Sequence, residues 1–167
     1  MKPVRAKLSN SSKALLLGLA AATSATLIVE AHATVLDPLQ VIYLFSGARD
    51  DGGGASDGVA TSVHCTSFSG VSETLQFQAR DFNGTIKGNQ TGAIGSSQTV
   101  TASTHAAFLY NNNIVLNTGS LSQGTVGVLA TSINIVCTAQ VLDAGSNRPN
   151  GFTLNGTRFN PIPGTQE

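Results

Sequence analysis

Three carboxylates, Asp50, Asp51 and Asp57, fall on one short run, Ser46 to Gly58, which also holds five glycines. Several acids on a pliable backbone suit a hard cation such as Ca²⁺, which takes six to eight oxygen ligands. The spacing is not that of an EF-hand, because no acids occupy its third and fifth positions ahead of a closing Glu at the twelfth. The competing reading is a solvated connection whose aspartates make turns with their own backbone. Gly54-Ala55-Ser56-Asp57-Gly58 has the letters of a hydrolase nucleophile elbow. That motif requires a turn from a strand into a helix, and an alternating β segment follows here instead.

His64 and His105 are the two other side chains suited to proton transfer. Either becomes a general base with an aspartate and a nucleophile in hydrogen-bonding reach. A small hydrolase assembled from His64 or His105 with the loop aspartates is therefore one function class. Two histidines without an added carboxylate are too few for a typical catalytic zinc site.

Cys65 and Cys137, 72 residues apart, are the only cysteines. No CxxC is present, and neither lies in a Gly-rich turn opening a helix, where a thiolate is favoured. An even count with no remaining thiol predicts one structural disulfide in an oxidising compartment. Closing so long a loop stabilises a fold by roughly 4 kcal/mol through the unfolded chain.

These residues sit on a chain that reads as β almost throughout. Thr74 to Asp81 alternates cleanly, with Leu75, Phe77 and Ala79 on one face and Gln76, Gln78 and Arg80 on the other. Val59 to Phe68 puts Val63 and Cys65 on one face and His64 on the opposite one, at a sheet surface. Val41 to Phe45 is a short apolar strand, and Thr99 to Tyr110 reads as a strand that carries His105. Asn83 to Ser97, with four glycines, predicts a long loop or irregular hairpin. Thr125 to Leu142 is one long β segment kinked near Thr131-Ser132, with Ile133, Ile135, Cys137, Ala139 and Val141 inward. Gly151 to Asn160 is a last strand. Seven or eight short strands separated by turns predict an all-β, antiparallel sandwich. Both cysteines fall inward on distant strands, as a bridge across the core between two sheets requires.

The first 33 residues have a different character. A basic start with Lys2, Arg5, Lys7 and Lys13 precedes an apolar run from Ala14 to Val29, and Ala31-His32-Ala33 ends it. That order predicts a secretory signal peptide over residues 1–33, removed on export, and a single domain over 34–167. The run is short and weakly apolar for an anchor, so no membrane insertion is expected after cleavage. Five basic side chains then face eight acidic ones. A mildly acidic domain without a basic patch excludes nucleic acid and anionic membranes as partners.

The cysteine spacing is similar to that of immunoglobulin-like domains. There is no Trp to pack on the bridge, and Ile135 stands where a corner tyrosine would precede the second cysteine. The segments GVATSVHCTSFSG, INIVCTAQVLDA and TRFNPIPGTQE also resemble a group of small exported bacterial proteins. That resemblance spans most of the chain after the leader. It implies an exported β-sandwich with one disulfide, periplasmic or extracellular, and brings no activity with it.

The expected function is thus a non-catalytic structural or interaction module of the cell envelope or exterior, with no cofactor and no catalytic residues. The alternatives are the hydrolase of His64 or His105 and a Ca²⁺-dependent binder through Asp50, Asp51 and Asp57.

Overall fold

The computed structural model describes residues 37–159. The leader expected over residues 1–33 lies outside the described residues, as do residues 160–167. Ten strands follow one another: β1 (Gln40–Asp50), β2 (Val59–Ser67), β3 (Glu73–Asp81), β4 (Ile86–Ile94), β5 (Thr99–Ser103), β6 (Ile114–Val115), β7 (Leu121–Ala130), β8 (Ile135–Asp143), β9 (Gly151–Leu154) and β10 (Gly156–Arg158). They form two five-stranded sheets, ordered β10-β1-β7-β3-β4 and β6-β5-β2-β8-β9. Every pairing is antiparallel except β5 with β6. The all-β sandwich is therefore the fold.

Alternation decides which side chains meet between the sheets. On β3, Leu75, Phe77 and Ala79 are fully buried, and they pack with Phe45, Val63, Val126, Val128 and Ile135 in the main core. A second, smaller cluster of Ala60, Ala107, Leu142 and Ala144, with Tyr110 against it, includes residues from the 104–113 segment.

Several expected boundaries shift. The first strand does not stop at Phe45 but runs to Asp50, because Gly47, at φ +86°, absorbs a bulge where the register slips between Ser46 and Ala48. Asp50 is thus a strand residue and not part of a loop. The glycine-rich stretch 83–97 contains edge strand β4. Gly88 and Gly92 lack side chains because Leu116 and Ile114 press against them: an added Cβ would lie 2.9 and 2.8 Å from those two residues. The long segment 125–142 is two strands in different sheets, and Thr131 to Asn134 is the crossing rather than a kink. Ile133, expected inward, is exposed there. The last strand likewise divides into β9 and β10, one in each sheet.

The disulfide joins Cys65 and Cys137 as expected, but within one sheet. The two residues face each other in the β2–β8 ladder, with a Cα–Cα distance of 4.2 Å. Such close approach is typical of non-hydrogen-bonded antiparallel pairs. Phase correctly placed both cysteines inward; it carries no information about which strand lies alongside.

Candidate functional site

The polar groups concentrate at the end of the sandwich where β1 finishes and β2 begins. Asp50 continues the inward phase of Ala48, so its carboxylate points into the protein and is 1% exposed. Its Oδ1 accepts the Gly52 N–H at 2.7 Å. Its Oδ2 accepts the Thr118 hydroxyl at 3.1 Å and lies 2.9 Å from His105 Nδ1. His105 does not belong to a strand. β5 ends at Ser103, and the chain then bends across the end of the sandwich, tied by Ser56 N–H to Ala106 O and by Phe108 N–H to Ala144 O.

Around this pair the buried hydroxyls stitch the two sheets together. Thr61, on β2, donates to Arg49 O and accepts from Arg49 N–H, both at 2.8 Å, although Arg49 belongs to β1 in the other sheet. Thr104 Oγ1 in turn accepts the Thr61 N–H. Within this network each buried side-chain polar group other than one is satisfied, which is the condition for such a network to stabilise rather than weaken a fold. The exception is His105 Nε2, which is buried and has no hydrogen-bond partner.

Asp51 stands beside the pair but is exposed. Its Oδ2 accepts the Val59 N–H at 2.9 Å and its Oδ1 the Gly53 N–H at 3.1 Å. The Val59 bond holds the Asp51 carboxyl below its ordinary value. Burial opposes that effect, and the Gly53 bond and the nearby His105 reinforce it. Gly58, at φ +72°, is obligatory here, since any side chain would overlap the Asp51 carboxylate. One oxygen of each of Asp50 and Asp51 and one nitrogen of His105 lie within 4.8 Å of one another.

The three loop aspartates therefore separate. Asp50 and Asp51 converge with His105, whereas Asp57 is exposed, in a turn closed by its own N–H to Gly54 O, and stays out of the cluster. The elbow-like Ser56 sits in the same loop with φ +59° and no helix after it.

His64 takes the sheet-surface position that alternation gave it. Its Nδ1 lies 3.0 Å from Thr101 Oγ1, and its ring meets Tyr110 edge-on at 4.3 Å. Gln140 donates to the Tyr110 hydroxyl. The cover supplied by Tyr110 half-buries His64, and that desolvation lowers its affinity for a proton. Among the described residues its hydrogen-bond partners are Thr101 and Gln140, and none is an aspartate.

Chemically, the Asp50–His105 pairing has the distance a general base and its orienting acid require. A base must also present Nε2 to a nucleophile, and here that atom is enclosed with no hydroxyl bonded to it. No protein-family model, curated protein or solved structure matches this chain.

Two features escaped the reading of the sequence. Thr61, Thr104 and Thr118, which complete the network, carried no motif. Glu73 is fully buried, with neither carboxylate oxygen bonded. Its signal was present: it precedes Leu75 and Phe77 at period two, in the inward phase.

Proposed function

We propose that this protein is an exported, non-catalytic β-sandwich that acts as an interaction module in the cell envelope or outside the cell. The observation that supports this reading most directly is the placement of its phenylalanines. Five of the seven, Phe68, Phe82, Phe108, Phe152 and Phe159, are exposed, the most extreme at 74%. All five lie in loops or within one residue of a strand end. Phe82, Phe108 and Phe152 share the end that holds Asp50. Aromatic side chains, Phe among them, are enriched at the cores of protein–protein interfaces relative to the rest of the surface. Loops at the ends of a rigid sandwich are where such anchors are presented. A cleft of about 350 Å³ at this end is lined by Arg49, Val59, Asp143, Asn150 and Phe152.

Export is supported by the basic-apolar-small order of residues 1–33, by the disulfide and by the resemblance to small exported bacterial proteins. Among the described residues no helix is long and apolar enough to cross a membrane. The enclosed His105 Nε2 favours the binding reading over the hydrolase one.

The experiment is to express the full chain, fractionate the cells and measure the intact mass of the product. The reading expects a species beginning at Thr34, oxidised at Cys65–Cys137 and found outside the cytoplasm. In the same fractions, replacing Phe82, Phe108 and Phe152 together with Ser should release the protein from the assemblies that hold the parent. An unprocessed cytoplasmic product, or identical behaviour of the triple variant, would overturn it.

A further inference from the structure

We propose that Asn155 is a site of spontaneous covalent modification, where the backbone nitrogen of Gly156 closes on the side-chain amide and converts the asparagine to aspartate or isoaspartate. The chain contains three Asn-Gly pairs, Asn83-Gly84, Asn150-Gly151 and Asn155-Gly156. In each, the glycine has no Cβ to obstruct the approach of its own nitrogen to the preceding side chain. Ring closure also needs that nitrogen to be free and the asparagine to turn about its Cα–C bond. The fold allows this at one pair and opposes it at the other two.

Asn83 is held on both sides of the reaction. The Gly84 N–H donates to Asp81 O at 3.0 Å. Asn83 Oδ1 accepts the Thr85 N–H at 3.1 Å and the Thr85 hydroxyl at 2.7 Å. Asn150 is held by its backbone. Its carbonyl accepts the Asp143 N–H at 3.1 Å, so turning that peptide towards the side chain breaks the bond that closes the β8–β9 ladder.

Asn155 differs on each count. It is exposed, forms the single-residue link between β9 and β10, and belongs to neither ladder. Among the described residues no hydrogen bond holds its side chain or its carbonyl. The direction of the Gly156 N–H follows from the alternation of the β1–β10 ladder. Phe159 N–H donates to Ile42 O, so those two residues form a hydrogen-bonded pair. Bonded and non-bonded pairs alternate along antiparallel strands. Thr157 therefore bonds to Leu44, whereas Gly156, opposite Phe45, turns its N–H away from β1. β10 is the outer strand of its sheet, so that N–H faces solvent. Packing also keeps the glycine in place, because a Cβ at position 156 would strike the Phe45 ring.

The reaction balances with water as the only co-reactant. The Gly156 nitrogen gives its proton to solvent and bonds to Asn155 Cγ. The Cγ–Nδ2 bond breaks, and Nδ2 takes up a proton and leaves as ammonia, closing a cyclic imide. Water then adds to one of the two imide carbonyls and the ring C–N bond there breaks. Opening at Cγ leaves a normal peptide bond through aspartate. Opening at the backbone carbonyl leaves isoaspartate, whose main chain runs through the side chain and is one carbon longer. Both products carry a new negative charge. The lengthened link bears directly on β10, which has only three residues to keep it on β1.

The test holds folded, oxidised full-length protein in mildly alkaline buffer for weeks, with a reduced sample in guanidinium chloride beside it. Both are followed by peptide mapping and mass spectrometry. In the folded protein the Asn155 peptide should gain the mass of exchanging NH2 for OH, with isoaspartate among its products. It should do so about tenfold or more faster than the Asn83 and Asn150 peptides, since each of those must first break a hydrogen bond. In guanidinium chloride the three should convert at comparable rates, because the difference belongs to the fold. Brief trypsin treatment should cut the aged protein after Arg158 faster than the fresh protein. Asn155→Gln, whose longer side chain closes a ring far more slowly, should keep the fresh rate. An Asn155 that stays intact when folded, Asn83 or Asn150 converting as fast, or the same ranking in both samples would each overturn the proposal. Equal cutting after Arg158 in the aged parent and the aged Asn155→Gln would overturn the loosening of β10.

Discussion

His105 Nδ1 and Asp50 Oδ2 lie 2.9 Å apart, joining residues separated by 55 positions at one end of the sandwich. Both side chains are buried, at 8% and 1% exposure. This contact makes the aspartates of the 46–58 segment unequal. Asp50 is structural, with three groups bonded to it; Asp51 organises the loop; Asp57 does neither. Neutralising all three together would thus remove a buried partner of His105 in addition to two surface charges.

The bridge should be complete and important to stability. Titration of the denatured, unreduced protein should find no free thiol, in keeping with the paired Cys65 and Cys137. Cys65→Ala should cost roughly 2–5 kcal/mol in denaturant unfolding, as loss of a native disulfide in a small domain does. A cost below about 1 kcal/mol would show that the β2–β8 ladder holds without it.

Strand β3 supplies the register test. Phe77 is fully buried and Phe77→Ala should cost roughly 3–5 kcal/mol through the cavity it leaves. The neighbouring Gln76, on the outer face, should change stability by no more than about 0.5 kcal/mol on replacement by Ala. Equal costs would place the strand the other way up.

Glu73 makes the opposite kind of prediction. Its carboxylate lies in the inward row of β3 with neither oxygen bonded. An unsatisfied buried polar group costs about 1–3 kcal/mol, so Glu73→Leu should raise stability by an amount of that order. A loss of stability would mean that the carboxylate has a role the fold requires.

His64 sets part of the pH dependence. Burial lowers its proton affinity in the folded protein relative to the ordinary value of 6.5. The unfolded chain therefore takes up the proton first as pH falls, so the folded state loses stability below about pH 6.5 and regains it above. Urea unfolding of the parent should show this decline as pH falls below about 6.5, and His64→Gln should flatten it. An unaltered slope in the variant would assign the decline elsewhere.

How much of this could be read from the residues follows from what each pattern encodes. The alternation of Leu75, Phe77 and Ala79 is local and records a buried face, so β3 and the inward phase of Cys65 and Cys137 were legible. Sheet membership is not local, which is why the bridge was expected between sheets and lies within one. Gly47 resembled the start of a loop because a bulge and a turn use the same residue. Gly88 and Gly92 concealed β4 for a different reason: their missing side chains make space for Ile114 and Leu116, which lie far along the chain. The site failed to show itself for both reasons. The residue pattern puts Asp50 in a loop and His105 in a strand, and in the fold each is the other.

The interaction reading itself is tested most directly by placing a photo-crosslinking amino acid at position 108, where Phe108 is 62% exposed, and at position 91, a polar edge-strand site, as control. Irradiation in the cells that make the protein should give a discrete, higher-mass adduct with an envelope or extracellular protein from position 108 and none from position 91. Adducts from neither position, or the same adducts from both, would contradict the account.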